Sequence, residues 1–187
     1  MTLQRSLALG TLCLGFAFRS SSGQSPLSNA QLCVRRDSLM SRTAVKSVDE
    51  AFEVAARLLP GGFGGLTTTY IFLKQPALAD SVRGLARTLS SCLGDSTWRR
   101  MWDIVARAEI RQGQYDWVEL RHWYAVLLDA GSTGLYSSDI DEGVNRLSYG
   151  FATTSALELF QRRADALGVP ADALILKVES GTRWPVR

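Results

Sequence analysis

Three carboxylates lie within four residues of each other, at Asp139, Asp141 and Glu142, and form the densest group of side chains able to do chemistry. Carboxylate oxygens are ligands that Ca²⁺ accepts, but this segment lacks the length and the ligand spacing of an EF-hand loop. Asp141, Glu142 and Gly143 between two strand-like runs are typical of a β-hairpin turn. We therefore expect a solvent-exposed hairpin tip and no metal site.

The single histidine, His122, follows Arg121 in a predicted amphipathic helix, and no nucleophile accompanies it. We interpret it as a surface or boundary residue. One histidine and three cysteines, Cys13, Cys33 and Cys92, cannot assemble a multi-histidine metal site or a paired CxxC zinc site. The sequence therefore predicts no catalytic, cofactor-binding or metal-ligating residues, and we expect a protein that is not an enzyme.

A glycine-rich segment, Gly61–Gly65, is the most conspicuous local motif. A phosphate-binding loop follows a strand, precedes a helix and usually carries a Lys-Ser/Thr pair. Here the order is reversed, because the glycines follow a predicted helix and precede the predicted strand Leu66–Leu73. The segment therefore predicts a turn with positive φ angles instead of a nucleotide site.

Charge and composition indicate a globular protein without a nucleic-acid partner. Twenty-one Lys and Arg against 18 Asp and Glu give the 187 residues a formal net charge of +3, and the basic residues are dispersed. Nucleic-acid binding normally needs a basic stripe or patch. A hydrophobic fraction of 46% with 21% charged residues excludes disorder, collagen and a polytopic membrane protein.

Residues 1–24 are predicted to be a secretory signal peptide. Arg5 precedes the uncharged run Ser6–Phe18, and the polar stretch Arg19–Ser25 follows. The run suits the apolar region of a signal peptide, whereas a spanning helix needs about 20 residues. We expect an exported protein, periplasmic or extracellular, with a membrane contact only if this segment stays uncleaved as an anchor.

Two cysteines, Cys33 and Cys92, remain after the predicted cleavage. In an oxidising compartment they can form one disulfide that closes a long loop, with a stabilisation of about 4 kcal/mol in the chain-entropy model. The alternative is two separate buried thiols. A bridge requires Cα atoms within about 7 Å, so both possibilities stay open at the level of sequence.

The N-terminal half reads as a linker followed by a small lobe. Residues 25–47 mix serine, asparagine and arginine with few periodic apolar positions, which indicates a linker with a short helix around residues 29–38. Ser47 and Glu50 have the spacing of a capping box and predict a helix start. This helix, the strand Leu66–Leu73 and a further amphipathic helix give residues 48–100 the order α-β-α.

Residues 101–180 read as β-α-β-β-α-β. The predicted elements are, in order, Ile104–Ile110, Tyr115–Ala130, Leu135–Ile140, Val144–Phe151, Thr153–Gly168 and Leu174–Val178. This is the order of the ferredoxin-like split βαβ unit, whose antiparallel sheet carries both helices on one face. We therefore predict an α+β protein with a C-terminal ferredoxin-like βαββαβ unit, preceded by the small α-β-α segment and followed by a C-terminal tail, residues 181–187.

Several short motifs follow one another along the chain in a recognisable order. They are Phe63-Gly-Gly65, Tyr115-Asp-Trp117, Asp139-Ile-Asp-Glu142, Asn145-Arg146 and Gly168-Val-Pro170. In this order the chain resembles the pro-regions of secreted bacterial chymotrypsin-like serine proteases, the α-lytic protease and streptogrisin group. In that group an Asp-x-x-x-Asn hairpin between two strands is familiar, and here it would be Asp141 to Arg146. One departure is that the segment after Phe63 is too short for the hairpin expected in the N-terminal lobe.

The resemblance implies a free-standing relative of these pro-regions that inhibits a separate secreted protease or assists its folding. No Gly-Asp-Ser-Gly nucleophile segment is present, so we do not expect a protease. The tail would lie towards the partner's cleft in an extended form, through Thr182, Arg183, Trp184 and Pro185. The alternatives are a frayed terminus for the tail and, for the whole chain, a small envelope hydrolase or ligand-binding domain that uses carboxylates, or a structural envelope protein.

Overall fold

The computed structural model describes residues 28–43, 47–92, 98–131 and 133–179. The predicted α+β class is confirmed. The helices of the described residues are α1 (Asn29–Thr43), α2 (Val48–Leu58), α3 (Ala79–Ser91), α4 (Arg99–Arg107), α5 (Trp117–Asp129) and α6 (Thr154–Ala166). The strands are β1 (Phe63–Leu66), β2 (Tyr70–Leu73), β3 (Glu109–Gln112), β4 (Leu135–Asp141), β5 (Arg146–Phe151) and β6 (Leu174–Val178).

The strands form two three-stranded sheets with the same internal order. In the first sheet β1 and β2 are antiparallel and β3 runs parallel to β2. In the second sheet β4 and β5 are antiparallel and β6 runs parallel to β5. A helix precedes each sheet and one or two helices connect its parallel strands, so after α1 the fold consists of two consecutive units, α2-β1-β2-α3-α4-β3 and α5-β4-β5-α6-β6. This repetition was not predicted from the sequence.

The first sheet begins with a hairpin that the sequence did not indicate. The predicted single strand Leu66–Leu73 is wrong, because β1 and β2 pair on either side of a three-threonine turn. In this turn the Thr67 hydroxyl accepts from the backbone N–H of Thr69 at 3.3 Å and from that of Tyr70 at 3.1 Å. Side-chain acceptance of this kind replaces the Asn-Gly or Asp-Gly pair that usually signals a tight hairpin.

The glycine-rich segment forms the predicted turn and also part of β1. Gly61 and Gly62 have φ angles of +85° and +69°, which confirms the predicted turn with positive φ. Gly64 lies within β1, where a Cβ would meet the backbone carbonyl oxygen of Tyr115 and the side chain of Asn145. The lack of a side chain at Gly64 therefore lets the two units approach closely.

The predicted strand Ile104–Ile110 is wrong over most of its length, because residues 99–107 form α4. The buried residues of α4 recur at helical spacing and face the core; they are Met101, Trp102 and Val105. The strand β3 begins only at Glu109. A pattern of apolar and charged residues over only seven positions fits both the strand period of 2.0 and the helix period of 3.6. Burial of Trp102 favours the helix.

The predicted ferredoxin-like unit is matched in element order, since β3, α5, β4, β5, α6 and β6 follow one another as β-α-β-β-α-β. The strand pairing divides these elements differently. β3 pairs with β2 over Tyr70↔Glu109 to Leu73↔Gln112 and therefore belongs to the first sheet. The boundary between the sheets consequently lies after Gln112 instead of at residue 100.

The described part of the predicted linker, residues 25–47, is a 15-residue helix, α1. Only Leu32, Leu39 and Met40 supply half-buried apolar side chains beside Cys33. This sparse apolar pattern explains why a full helix was not predicted. The capping box at the start of α2 is confirmed, with Glu50 N–H donating to Ser47 Oγ at 3.3 Å and Ser47 N–H to Glu50 Oε2 at 2.9 Å.

Aromatic side chains join the two units in the core. The ring of Phe52, in α2, meets the ring of Phe63 edge-on at 5.6 Å and that of Trp117 at 4.9 Å. Trp117 begins α5, whose start is fixed by a reciprocal capping box between Asp116 and Glu119. Through Trp117 the N-terminus of α5 is thereby packed against α2 of the first unit.

Candidate functional site

Among the described strands the second sheet has an edge at β4 and another at β6, and the edge at β6 carries exposed apolar side chains that suit it to binding another protein. Among the described strands, β6 has β5 as its sole neighbour. Ile175 and Val178 on this strand are 36% and 47% exposed. An unpaired strand edge with exposed apolar side chains can accept a strand from a partner through main-chain hydrogen bonds.

The chain leaves β6 through Glu179. The N–H of Glu179 donates to the carbonyl of Phe151 at 2.9 Å, so the parallel pairing extends one residue beyond the strand. Residues 180–187 lie outside the described residues, and so do the predicted partner-binding positions Thr182, Arg183, Trp184 and Pro185. The segment that carries them therefore starts at the open edge of the sheet.

One residue from each strand forms a row across the second sheet at this point. Ser137 pairs with Gly150, and Gly150 pairs with Lys177. The row lies on the face opposite α6, because the neighbouring Tyr149 packs its ring on Phe160 of that helix at 4.6 Å. The sequence pattern indicates neither this row nor the role of its central glycine.

Asn145 connects the two units at the turn between β4 and β5. Its side chain is buried and its φ is +58°, in the left-handed region that asparagine tolerates. Its Oδ1 accepts from the N–H groups of Gln114 and Tyr115, each at 3.0 Å. Its Nδ2 donates to the carbonyl of Gly64 at 2.8 Å and to that of Tyr115 at 2.9 Å. The turn is therefore fixed to β1 and to the segment before α5.

Tyr115 links the segment before α5 to the segment before β6. Its hydroxyl donates to Asp172 Oδ1 at 2.5 Å, and the Gln114 side-chain amide also donates to Asp172. Burial and this hydrogen bond raise the pKa of Tyr115 to about 12, and the Tyr115 and Gln114 donors lower the pKa of Asp172. The tyrosine therefore stays protonated at neutral pH and serves as a donor, not as a base.

The hairpin tip that carries the three clustered carboxylates is partly solvent-exposed. Glu142 is half-buried, and the Tyr70 hydroxyl of the first sheet donates to the carbonyl of Gly143 at 2.9 Å. Asp139 and Val144 are exposed and Asp141 is half-buried, so the expected solvent-exposed tip is found in part, and the predicted hairpin itself is confirmed. Within the described residues no three His, Cys, Asp or Glu side chains come together as a metal site.

His122 is exposed on α5, as expected for a surface residue. A cleft of about 340 Å³ between the two sheets is lined by Phe72, Gln112, Gly113, Gln114, Val144, Asn145 and Arg146. The Arg146 guanidinium in this cleft donates to Gln114 Oε1 at 2.7 Å and lies 5.2 Å from the centre of the Tyr115 ring. The Arg146 guanidinium is thus already engaged by neighbouring side chains of the same chain.

Cys33 and Cys92 form a disulfide, with Cα atoms 5.6 Å apart. One turn further along α1, the buried guanidinium of Arg36 donates from Nη1 to the carbonyl of Leu89 at 3.1 Å. Leu89 and Cys92 both lie at the C-terminal end of α3. The disulfide and the arginine therefore attach α1 to the same end of α3.

Comparison with protein-family models, with curated proteins and with solved structures finds no match to this chain. The predicted signal peptide, residues 1–24, lies outside the described residues. None of the helices within the described ranges is long and apolar enough to cross a membrane.

The sequence contained partial signals for some of the residues described above. Asn145 belongs to the Asp-x-x-x-Asn pattern, and an asparagine at the end of a turn is a common signal for left-handed backbone. Arg36 carried no such signal, because a buried arginine on a polar helix looks like a solvent-facing one. Gly150 was read only as part of an apolar strand.

Proposed function

We propose that this chain is an exported, non-enzymatic protein-binding module that inhibits a secreted serine protease or assists its folding. The resemblance to the pro-regions of the α-lytic protease and streptogrisin group suggests the class of partner. The disulfide Cys33–Cys92 fits an oxidising compartment, where such bridges persist. Together these observations favour a partner outside the cytoplasm.

The observation that carries the proposal is the continuity between the open edge of β6 and the C-terminal segment. A partner strand added to β6 would lie beside the point where residues 180–187 begin. Strand addition gives affinity through main-chain hydrogen bonds, and side chains beyond the strand give specificity. Edge and tail can therefore act as one binding surface.

Immunoprecipitation with antibodies against the full chain tests this proposal, using culture supernatant and periplasm with identification by mass spectrometry. The full chain is compared with a variant that ends at Glu179. We expect a serine protease with the full chain and its loss with the shortened variant. Absence of any protease from both would overturn the proposal. Equal recovery from both would assign binding to the sheet edge without the tail.

Once a protease is recovered, two assays distinguish an inhibitor from a folding assistant. An inhibitor slows hydrolysis of a peptide substrate by the native protease in proportion to occupancy. A folding assistant raises the yield of active protease on dilution from denaturant. Urea denaturation of the full and shortened chains should give the same midpoint, which would show that removal of the tail leaves the fold intact.

A further inference from the structure

A pocket of about 420 Å³ opens on the first unit, where α2 and α4 meet the turn between β1 and β2, and we call it the α2–α4 pocket. Most of the residues that line it are apolar, namely Val48, Phe52, Leu66, Trp98, Met101 and Ile104. The polar lining residues among those described are Thr67, Thr68 and Arg100. Small-molecule sites have this composition, a largely apolar cavity with a few polar groups that orient the ligand.

The α2–α4 pocket has a buried floor and an exposed rim. Phe52 and Met101 are buried and form the floor, whereas Val48 is 53% exposed and lies at the rim. Leu66 and Ile104 are half-buried, so the apolar surface continues from the floor towards the rim. Apolar surface that lies open to solvent in this way is typical of a binding site.

Contacts within the fold hold the walls of the pocket in place. The ring of Phe52 packs edge-on against that of Phe63 at 5.6 Å and that of Trp117 at 4.9 Å. On the turn, the Thr67 hydroxyl donates to the carbonyl of Tyr70 at 3.2 Å. A pocket that is formed before the ligand arrives needs little ordering on binding, which favours affinity.

Arg100 is the charged residue of the pocket lining. Its side chain is exposed, and no hydrogen bond or ion pair links it to another described residue. Thr68 is also exposed, and its hydroxyl has no partner among the described residues. A guanidinium binds a carboxylate through two parallel N–H···O bonds, and a hydroxyl can donate a further one. The pocket is therefore complementary to a molecule with one negative charge and an apolar body.

We propose that the α2–α4 pocket binds the anion of a fatty acid. The alkyl chain lies against Phe52 and Met101, and the carboxylate is held at the rim by Arg100. Burial of the chain supplies most of the affinity, and the guanidinium distinguishes a carboxylate from a neutral or cationic head group. The site lies in the first unit and shares no residue with the β6 edge, so it is a second binding function that does not depend on a protease partner.

Isothermal titration calorimetry of the full chain tests the choice of ligand. The probes are decanoate and decyltrimethylammonium, each below the concentration at which it forms micelles. They carry the same alkyl chain and opposite charges. We expect saturable binding of one decanoate per chain and binding of the cation that is at least tenfold weaker.

Arg100→Gln tests the head-group contact, with Arg99→Gln as the matched control. Both arginines are exposed in the first turn of α4, and Arg99 does not line the pocket. Arg100→Gln should raise the dissociation constant for decanoate about tenfold, the effect of losing one charge-assisted hydrogen bond. Arg99→Gln should change it by less than about twofold, because an exposed charge outside the site is screened by solvent and salt.

Val48→Glu tests the location of the site by placing a carboxylate at the rim. Val118→Glu is the matched control, because Val118 is 51% exposed in the first turn of α5 and lies outside the pocket. A glutamate in the first turn of a helix is favourable, so both variants should fold, and their urea midpoints check this. Val48→Glu should weaken decanoate binding at least tenfold and strengthen binding of decyltrimethylammonium, whereas Val118→Glu should alter neither.

Three results would overturn the proposal. The first is the absence of saturable decanoate binding to the unaltered chain. The second is equal affinity for the two probes, or for decanoate in Arg100→Gln and the unaltered chain, since the pocket would then not recognise a carboxylate. The third is equal weakening by Val48→Glu and Val118→Glu, which would place the bound decanoate outside the pocket. Recovery of a protease is measured separately, so the proposed function can fail without this one, and the reverse.

Discussion

The side-chain amide of Asn145 donates to the carbonyl of Gly64 at 2.8 Å and thereby ties the β4–β5 turn of the second unit to β1 of the first. The same side chain makes three further hydrogen bonds, all to the backbone of Gln114 and Tyr115. One buried amide thus uses both its donors and its acceptor oxygen to hold three segments that are distant in sequence.

Replacement of Asn145 should therefore destabilise the whole fold. Asn145→Ala leaves buried backbone groups of Gly64, Gln114 and Tyr115 without their partner, and we expect a loss of about 3 kcal/mol in the free energy of unfolding. Asn145→Gly accommodates the φ of +58° and isolates the contribution of the amide from that of backbone strain. Urea denaturation provides the measurement, with Asn29→Ala, an exposed position on α1, as the control. A loss below about 1 kcal/mol in both Asn145 variants would contradict this role.

Local signals in the sequence predicted several elements well. The capping box at Ser47 placed the start of α2, and the run Leu174–Val178 coincides with β6. The turn at Asp141 to Gly143 identified the hairpin of β4 and β5. Each of these signals depends on residues close together in sequence, so it can be read without knowing the rest of the fold.

Other features depend on contacts between distant residues and could not be predicted in this way. The short strands β1 and β3 are stabilised by pairing with β2, and no residue pattern within either segment indicates that β2 is the partner. Arg36 is buried because α1 packs against the end of α3, 53 residues further along the chain at Leu89. Ser137, Gly150 and Glu179 likewise come together only after the second sheet has formed.

Removal of the disulfide should lower the stability of the first unit. The bridge spans 59 residues of sequence, a loop that encloses most of α1 and all of α2, β1, β2 and α3. In the chain-entropy model, a loop of this length corresponds to about 4 kcal/mol. We expect the Cys33→Ser/Cys92→Ser variant and the reduced unaltered chain to unfold at the same lower urea concentration. Equal midpoints with and without reductant for the unaltered chain would contradict the prediction.

Arg36 should matter for stability far more than its neighbour Arg35. Arg36 is fully buried and donates to the Leu89 carbonyl at the end of α3, whereas Arg35 is exposed on the same helix. Arg36→Met keeps much of the side-chain volume but removes the donors, and we expect a loss of about 1–3 kcal/mol. Arg35→Met should change the free energy of unfolding by less than about 0.5 kcal/mol. Similar values for the two variants in urea denaturation would show that the buried contact contributes nothing.

Two tyrosines in the second unit should respond in opposite directions to loss of the hydroxyl group. The Tyr149 hydroxyl is buried and has no hydrogen-bond partner among the described residues, and burial raises its pKa above the usual value. The Tyr124 hydroxyl lies 3.0 Å from Ser138 Oγ. Tyr149→Phe should therefore raise the free energy of unfolding by about 1 kcal/mol, and Tyr124→Phe should lower it by a similar amount. Thermal denaturation of the two variants at pH 7 tests these opposite signs. Destabilisation by Tyr149→Phe would show that the Tyr149 hydroxyl has a hydrogen-bond partner.

The carboxyl group of Glu142 should make the protein more stable as the pH falls from neutrality towards 4. Burial raises the pKa of Glu142, and the carboxylates of Asp139, Asp49 and Asp141 raise it further. Because the folded pKa is above the unfolded one, the stabilising contribution is complete below the unfolded pKa of about 4.3 and is lost as the pH rises through the folded pKa.

Glu142→Gln removes this titration and tests its sign. At pH 7 the variant should be more stable than the unaltered chain, because a neutral amide escapes both the burial penalty for a charge and the repulsion from Asp139 and Asp49. Near pH 4, where the glutamate is itself protonated in the fold, the difference should vanish. Urea denaturation from pH 4 to pH 8 provides the comparison, with Glu158→Gln on the exposed side of α6 as the matched control. If Glu142→Gln lowers stability at pH 7, the charged carboxylate has a favourable partner that outweighs the three neighbouring acids.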